Sequence, residues 1–222
     1  MENIQINTHS SIKIREGEKT FYFDPFKLEG RYSDADYIFI THDHFDHLDP
    51  KSISNVRKNE TVYICPKSIA KTLAADCGIK DTAKIIQVSP DDEIKLEDNI
   101  SFYVTPAYNT NKNFHQKNFN WVGYVLKVND KTFFVAGDTD VTDEIKKVKC
   151  DVALVPIGGT YTMDANEAAS FINLIKPKLA IPTHYGSVIG EANLGKLFIS
   201  QVDKSIETKE LIDFVNFKKV NI

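Results

Sequence analysis

At 222 residues, with 42% hydrophobic and 26% charged side chains, the chain has enough apolar material for one well-buried domain and lies far from a disordered or collagen-like profile. A formal net charge of -4 provides no basic footprint for neutralising phosphates, which argues against nucleic acid as a partner, and no apolar run approaches the length of a membrane span. Cys65, Cys77 and Cys150 form no C-x-x-C pair and read as small buried hydrophobes; with no secretory signal in the first residues, a reducing cytoplasm is the expected location.

The first forty residues alternate apolar and polar positions in "IQI", "SIKIRE" and "KTFYFDP", with "EGEK" as a tight turn, so the chain should begin with hairpins. "DYIFITH" follows as a strand buried on both faces. Asp49 and Pro50 stand at N-cap and first-turn positions before a helix in "DPKSISNVRK". The strand "TVYIC", a helix in "PKSIAKTLAAD", and the strands "AKIIQV" and "ISFYVTPA" come next, then "WVGYVLKV" and "KTFFVAG" joined at Asn129 and Asp130. The second half runs "DVALVPIGG", a helix in "TMDANEAASFINLIKP", "LAIPTHYG", a helix around "GEANLGKLFISQVD", and a last short helix near "TKELIDFV". Strands first meander and later alternate with helices, which predicts an α/β protein of two packed sheets flanked by helices, in a single domain over residues 1–222.

Residues 41–50, "THDHFDHLDP", place His42, His44, Asp46 and His47 at the carboxyl end of a core strand, just before a helix. Imidazoles and carboxylates at that spacing can converge on borderline divalent cations such as zinc or manganese. A solitary loop histidine is ordinarily a solvated or hydrogen-bonded side chain, but this cluster is too dense for that reading.

H-x-H-x-D-H after a buried strand resembles the signature of the metallo-β-lactamase superfamily, and the resemblance continues along nearly the whole chain. It implies a four-layer αββα sandwich of two mixed β-sheets. It also implies Asp24 in "FYFDP" as a brace for the ligand histidines, Asp138 in "FFVAGDTD" as a carboxylate bridging two metals, and His184 in "LAIPTHYG" as the last histidine ligand. "THSSIKI", "VGYVL", "PIGGTYTMD" and "IKPKLAIPTHYG" are similar to the branch that includes ascorbate-6-phosphate lactonase. Most of the superfamily carries a further histidine ligand after the strand corresponding to "ISFYVTPA", where this chain has Asn109. His115 completing that site, the amide oxygen of Asn109 doing so, and an incomplete site all remain open.

His9 is either a hydrogen-bonded structural histidine or, as the resemblance suggests, a neighbour of the site. Asp140 reads as a carboxylate fixing its own loop, and Trp121 and Phe114 as packing rather than a substrate wall. "IGGTYTMDANEA" offers Thr162 or Asp164 as a helix cap, with Glu167 placed for a capping box; alternatively its Gly-Gly amides, Gly159 among them, and Tyr161 hold a substrate anion, and Lys112 could help orient it.

The expected activity is therefore hydrolysis of a small, anionic lactone or phosphoester by a hydroxide activated on one or two divalent ions, zinc or manganese ahead of nickel or iron. The expected ligands are His42, His44, Asp46, His47, His115, Asp138 and His184, with Asp46 and Asp138 taking part in catalysis. A noncatalytic metal- or ligand-binding protein with an altered first site is the alternative. The only partner expected is a small-molecule substrate, with neither nucleic acid nor membrane, and a homo-oligomer is compatible with this reading.

Overall fold

The computed structural model describes residues 3–212 and divides into two compact units, Met1–Ser89 and Pro90–Ile222.

The first unit holds a six-stranded mixed sheet in the order β1-β2-β3-β4-β5-β6. β1 (Ile4–Ile6), β2 (Ile12–Glu16) and β3 (Lys19–Phe23) form an antiparallel meander, and Gly17 takes positive φ in the turn the sequence anticipates. β4 (Ala35–Phe39) lies parallel to β3. α1 (Pro50–Val56) follows, with Asp49 as its N-cap accepting from the Lys51 N–H, as its sequence position foretold. β5 (Arg57–Pro66) is parallel to β4; α2 (Ala70–Asp76) and β6 (Ile85–Val88), parallel to β5, complete the unit. Ile53 and Val56 of α1 and Leu73 of α2 share one apolar core with Ile38, Tyr63 and Ile85 of the sheet. The parallel strands alternate with helices because a parallel crossover needs a long connection, and the helix supplies an apolar face to cover the sheet.

The second unit holds a seven-stranded mixed sheet. β7 (Glu93–Glu97), β8 (Ile100–Pro106), β9 (Val122–Val128) and β10 (Lys131–Val135) are antiparallel neighbours; β10, β11 (Val152–Pro156), β12 (Leu179–Thr183) and β13 (Glu207–Thr208) run parallel. α3 (Ala165–Ile175) links β11 to β12 and packs against α4 (Leu194–Gln201). Every residue of β12 is buried, as an internal parallel strand requires. Two mixed sheets with flanking helices are thus present, in agreement with the sequence.

Three departures concern the periphery. β7, "EIKLE", carries three charged residues on a sheet edge and lacks the apolar run that betrays a strand. The expected last helix near residues 208–215 is replaced at its start by the edge strand β13, residues 209–212 are not helical, and residues 213–215 lie outside those described. Cys65 and Cys77 are buried as expected, but Cys150 is only half-buried.

α3 starts with a complete capping box: the Asp164 carboxylate accepts from the Asn166 and Glu167 N–H groups, and Glu167 accepts from the Asp164 N–H. Asp164, rather than Thr162, is therefore the cap. Replacing Asp164 with alanine should lower unfolding stability by about 1 kcal/mol, seen as a lower urea midpoint with an unchanged denaturant slope.

Candidate metal centre

In the first unit the donors cluster after β4, where the chain leaves the sheet and turns into α1. His42 and His44 offer ligand nitrogens within 4.8 Å of each other, as do His9, Asp46 and His47 among themselves. His42, His47, Asp46 and His9 are buried, and His44 is half-buried.

Asp24, at the end of β3, organises this loop. Its Oδ1 accepts from the Thr41 N–H at 2.8 Å, and its Oδ2 accepts from the Thr41 hydroxyl at 2.6 Å and from His47 Nδ1 at 2.8 Å. The Thr41 hydroxyl has one proton, and the carboxylate takes it; its 2.9 Å contact with His42 Nδ1 must therefore receive a proton from the ring. His42 and His47 are both set as Nδ1–H tautomers, so Nε2 carries the lone pair that a metal accepts. Burial pushes the Asp24 carboxyl above its ordinary pKa, and the donors from His47 and Thr41 pull in the other direction. His9 meets Asp46 directly, Nε2 to Oδ2 at 2.9 Å, so it is a hydrogen-bonded histidine and a neighbour of the cluster at once.

In the second unit His184 and His115 meet the same carboxylate oxygen, Oδ2 of Asp138, through their Nε2 atoms at 2.9 and 3.5 Å. Asp138 follows β10 and His184 follows β12, two parallel strands separated in the sheet by β11. The ends of parallel strands are where loop side chains converge. His9, Asp24 and His184 all adopt positive φ, at 54°, 44° and 57°. Left-handed backbone at non-glycine residues costs free energy and gathers where geometry serves function.

Both ends of the Asn109 amide are hydrogen-bonded within the second unit. Its Oδ1 accepts from the His115 N–H and lies 3.1 Å from His115 Nδ1, while its Nδ2 donates to Asp140 Oδ1 and to the Tyr161 carbonyl. Asp140, expected to fix its own loop, instead fixes the loop of residues 109–112, accepting also from the Thr110 N–H and from Lys112 Nζ at 2.5 Å. Lys112 is thus paired with Asp140 and the Thr162 carbonyl. The Gly159 N–H, a candidate anion donor by sequence, donates to the Met163 carbonyl. Tyr161 packs edge-on against the half-exposed Phe114, and the half-buried Trp121 packs against His115. Thr41 escaped the sequence reading; its position between the last apolar strand residue and the first histidine was the available signal.

Imidazoles and carboxylates are the donor types that a borderline divalent cation takes. A family model for the β-lactamase superfamily domain matches residues 2–185. The chain belongs to the metallo-β-lactamase superfamily. Within this superfamily, a UPF0173 metal-dependent hydrolase from Caldivirga maquilingensis is 33% identical over 190 residues, covering 81% of this chain and 80% of the relative. A second, from Pyrococcus horikoshii, is 31% identical over 204 residues and covers 84% and 86%. Among solved structures, a protein from Parabacteroides distasonis superposes with a TM-score of 0.78 at 27% identity, covering 95% of this chain and 93% of that one.

Proposed function

We propose that this metal-dependent hydrolase of the metallo-β-lactamase superfamily cleaves a small anionic substrate, a lactone or a phosphoester, with water as nucleophile. The observation carrying this reading is the tautomeric setting of the buried histidines, which leaves the Nε2 lone pairs to His42 and His47, the latter 3.9 Å from the Asp46 carboxylate. In this reading the histidines and aspartates that the sequence puts forward as ligands would hold one or two divalent ions. Such an ion supplies Lewis acidity and makes water a competent nucleophile near neutral pH.

The protein groups do the remaining work. Asp24 and Thr41 hold the rings of His42 and His47, which sets the tautomers of these two donors in the folded chain. Asp46 and Asp138 offset the charge of the cations and accept protons from water. Burial pushes the Cys65 and Cys77 thiols up to about 12, which disfavours thiolate nucleophiles and supports water in that role. Three free cysteines are in keeping with a reducing cytoplasm, and no described helix is long and apolar enough to cross a membrane. Similarity of "PIGGTYTMD" and "IKPKLAIPTHYG" to the lactonase-containing branch supports the substrate class.

Purified protein should carry one or two transition-metal ions per chain by elemental analysis and hydrolyse members of a panel of sugar-phosphate lactones and phosphoesters. His44→Ala and Asp138→Asn should reduce turnover at least about a hundredfold while circular dichroism stays native. Full activity after exhaustive chelation contradicts the reading. A fully metallated protein inert across the panel would favour the noncatalytic alternative.

A further inference from the structure

Asn109, at the position where a metal-ligating histidine was expected, makes five polar contacts within the second unit, all short. Its own N–H donates to the His115 carbonyl at 2.7 Å, its Oδ1 accepts from the His115 N–H at 3.1 Å, and the same Oδ1 lies 3.1 Å from His115 Nδ1. Its Nδ2 donates to the Tyr161 carbonyl at 2.8 Å and to Asp140 Oδ1 at 3.1 Å. A backbone N–H can only donate and a backbone carbonyl can only accept, so the two amide ends of Asn109 are assigned without ambiguity. An amide oxygen facing His115 Nδ1 requires that nitrogen to bear the proton. In the neutral ring Nε2, 3.5 Å from Asp138 Oδ2, is then the nitrogen with the lone pair.

The outer end of this chain is held as firmly. Asp140 is buried and accepts from Asn109, from the Thr110 N–H and from Lys112, and Lys112 reaches the Thr162 carbonyl as well. Three segments, residues 108–115, 138–140 and 161–162, therefore share one polar network. Trp121 packs against the His115 ring with centroids 5.4 Å apart.

We propose that Asn109 and Asp140 are positioning residues for His115: Asp140, neutralised by Lys112, orients the Asn109 amide, and that amide sets the tautomer and direction of the imidazole. Asn109 thereby supports a candidate ligand six places further along the same loop. The relay rests on the reading of His115 as a metal ligand, and it specifies how a loop lacking a histidine at position 109 still presents one.

Side-chain nitrogen NMR of histidine-labelled, metal-free protein at mildly alkaline pH tests the relay directly. The His115 resonance, assigned with His115→Gln, should report the Nδ1–H tautomer in the wild-type chain. Asn109→Ala should move it toward the Nε2–H form and weaken binding of one zinc ion roughly ten- to a hundredfold in chelator competition. Asp140→Asn, which keeps an oxygen acceptor, should give a smaller loss in the same direction. An Nε2–H tautomer in the wild type, or an unchanged tautomer and zinc affinity in folded Asn109→Ala, overturns the relay. The wild-type spectrum decides even where the alanine variant does not fold. If His115→Gln itself retains both zinc affinity and hydrolysis, the ligand assignment fails instead, so the two failures are distinguishable.

Discussion

Replacing Asp24 with alanine should destabilise the protein by about 2–4 kcal/mol and weaken metal binding roughly ten- to a hundredfold. Three buried donors, the Thr41 N–H, the Thr41 hydroxyl and His47 Nδ1–H, converge on this one carboxylate. Each buried donor left unsatisfied costs about 1–3 kcal/mol, although the hydroxyl can rotate to limit its share. Alanine also tolerates the left-handed backbone at this position, φ 44°, less well than aspartate does. Against these losses stands the desolvated charge: burial raises the Asp24 pKa, so removing the carboxylate returns part of the cost. Asp24→Asn keeps the local backbone preference and one acceptor, and should fall between wild type and alanine. Urea unfolding of the metal-free proteins measures the stability term, and chelator competition measures the affinity term. An Asp24→Ala protein with a wild-type midpoint would show that the network contributes nothing net.

Gly158→Ala should impair both folding and hydrolysis. A Cβ at this position would stand 2.5 Å from the His184 carbonyl oxygen, 2.8 Å from Ile189 Cγ2 and 3.3 Å from His184 Nδ1. The tightest of these contacts is backbone, which cannot rotate away as a flexible side chain can. His184 is itself held at positive φ and reaches Asp138 through Nε2 at 2.9 Å, so the displaced residue is a candidate ligand. Overpacking of this kind costs about 1–3 kcal/mol, and an ångström of misplacement at a reacting group can cost about a hundredfold in rate. Thermal unfolding with steady-state kinetics separates the two effects. Wild-type turnover in a clearly destabilised Gly158→Ala protein would exclude any part for His184 geometry in catalysis.

Most of the internal architecture was legible because internal elements carry strong local patterns. β4, β10, β11 and β12 are apolar runs ended by polar loops, and α1 and α3 announce themselves through Asp49 and Asp164. β7 and β13 were missed because an edge strand is stabilised by backbone pairing with its one neighbour, and "EIKLE" and "ET" leave little apolar signal.

For the candidate site, sequence by itself determined the chemical inventory: His42, His44, Asp46 and His47 at one strand end, and Asp24, Asp138 and His184 after β3, β10 and β12. Spacing along a chain reports which donors a loop offers, because strand ends and short turns are local. Only the tertiary structure decided how they are oriented. The Asn109 amide is fixed by partners 31 and 52 positions away, Asp140 and Tyr161, and Asp24 lies 23 positions from the His47 it braces. Tertiary contacts also pair Lys112 with Asp140 and commit the Gly159 N–H to the Met163 carbonyl. A hydrogen bond depends on distance and angle at a point in space, and side chains far apart in sequence reach that point only once the sheets have placed their loops.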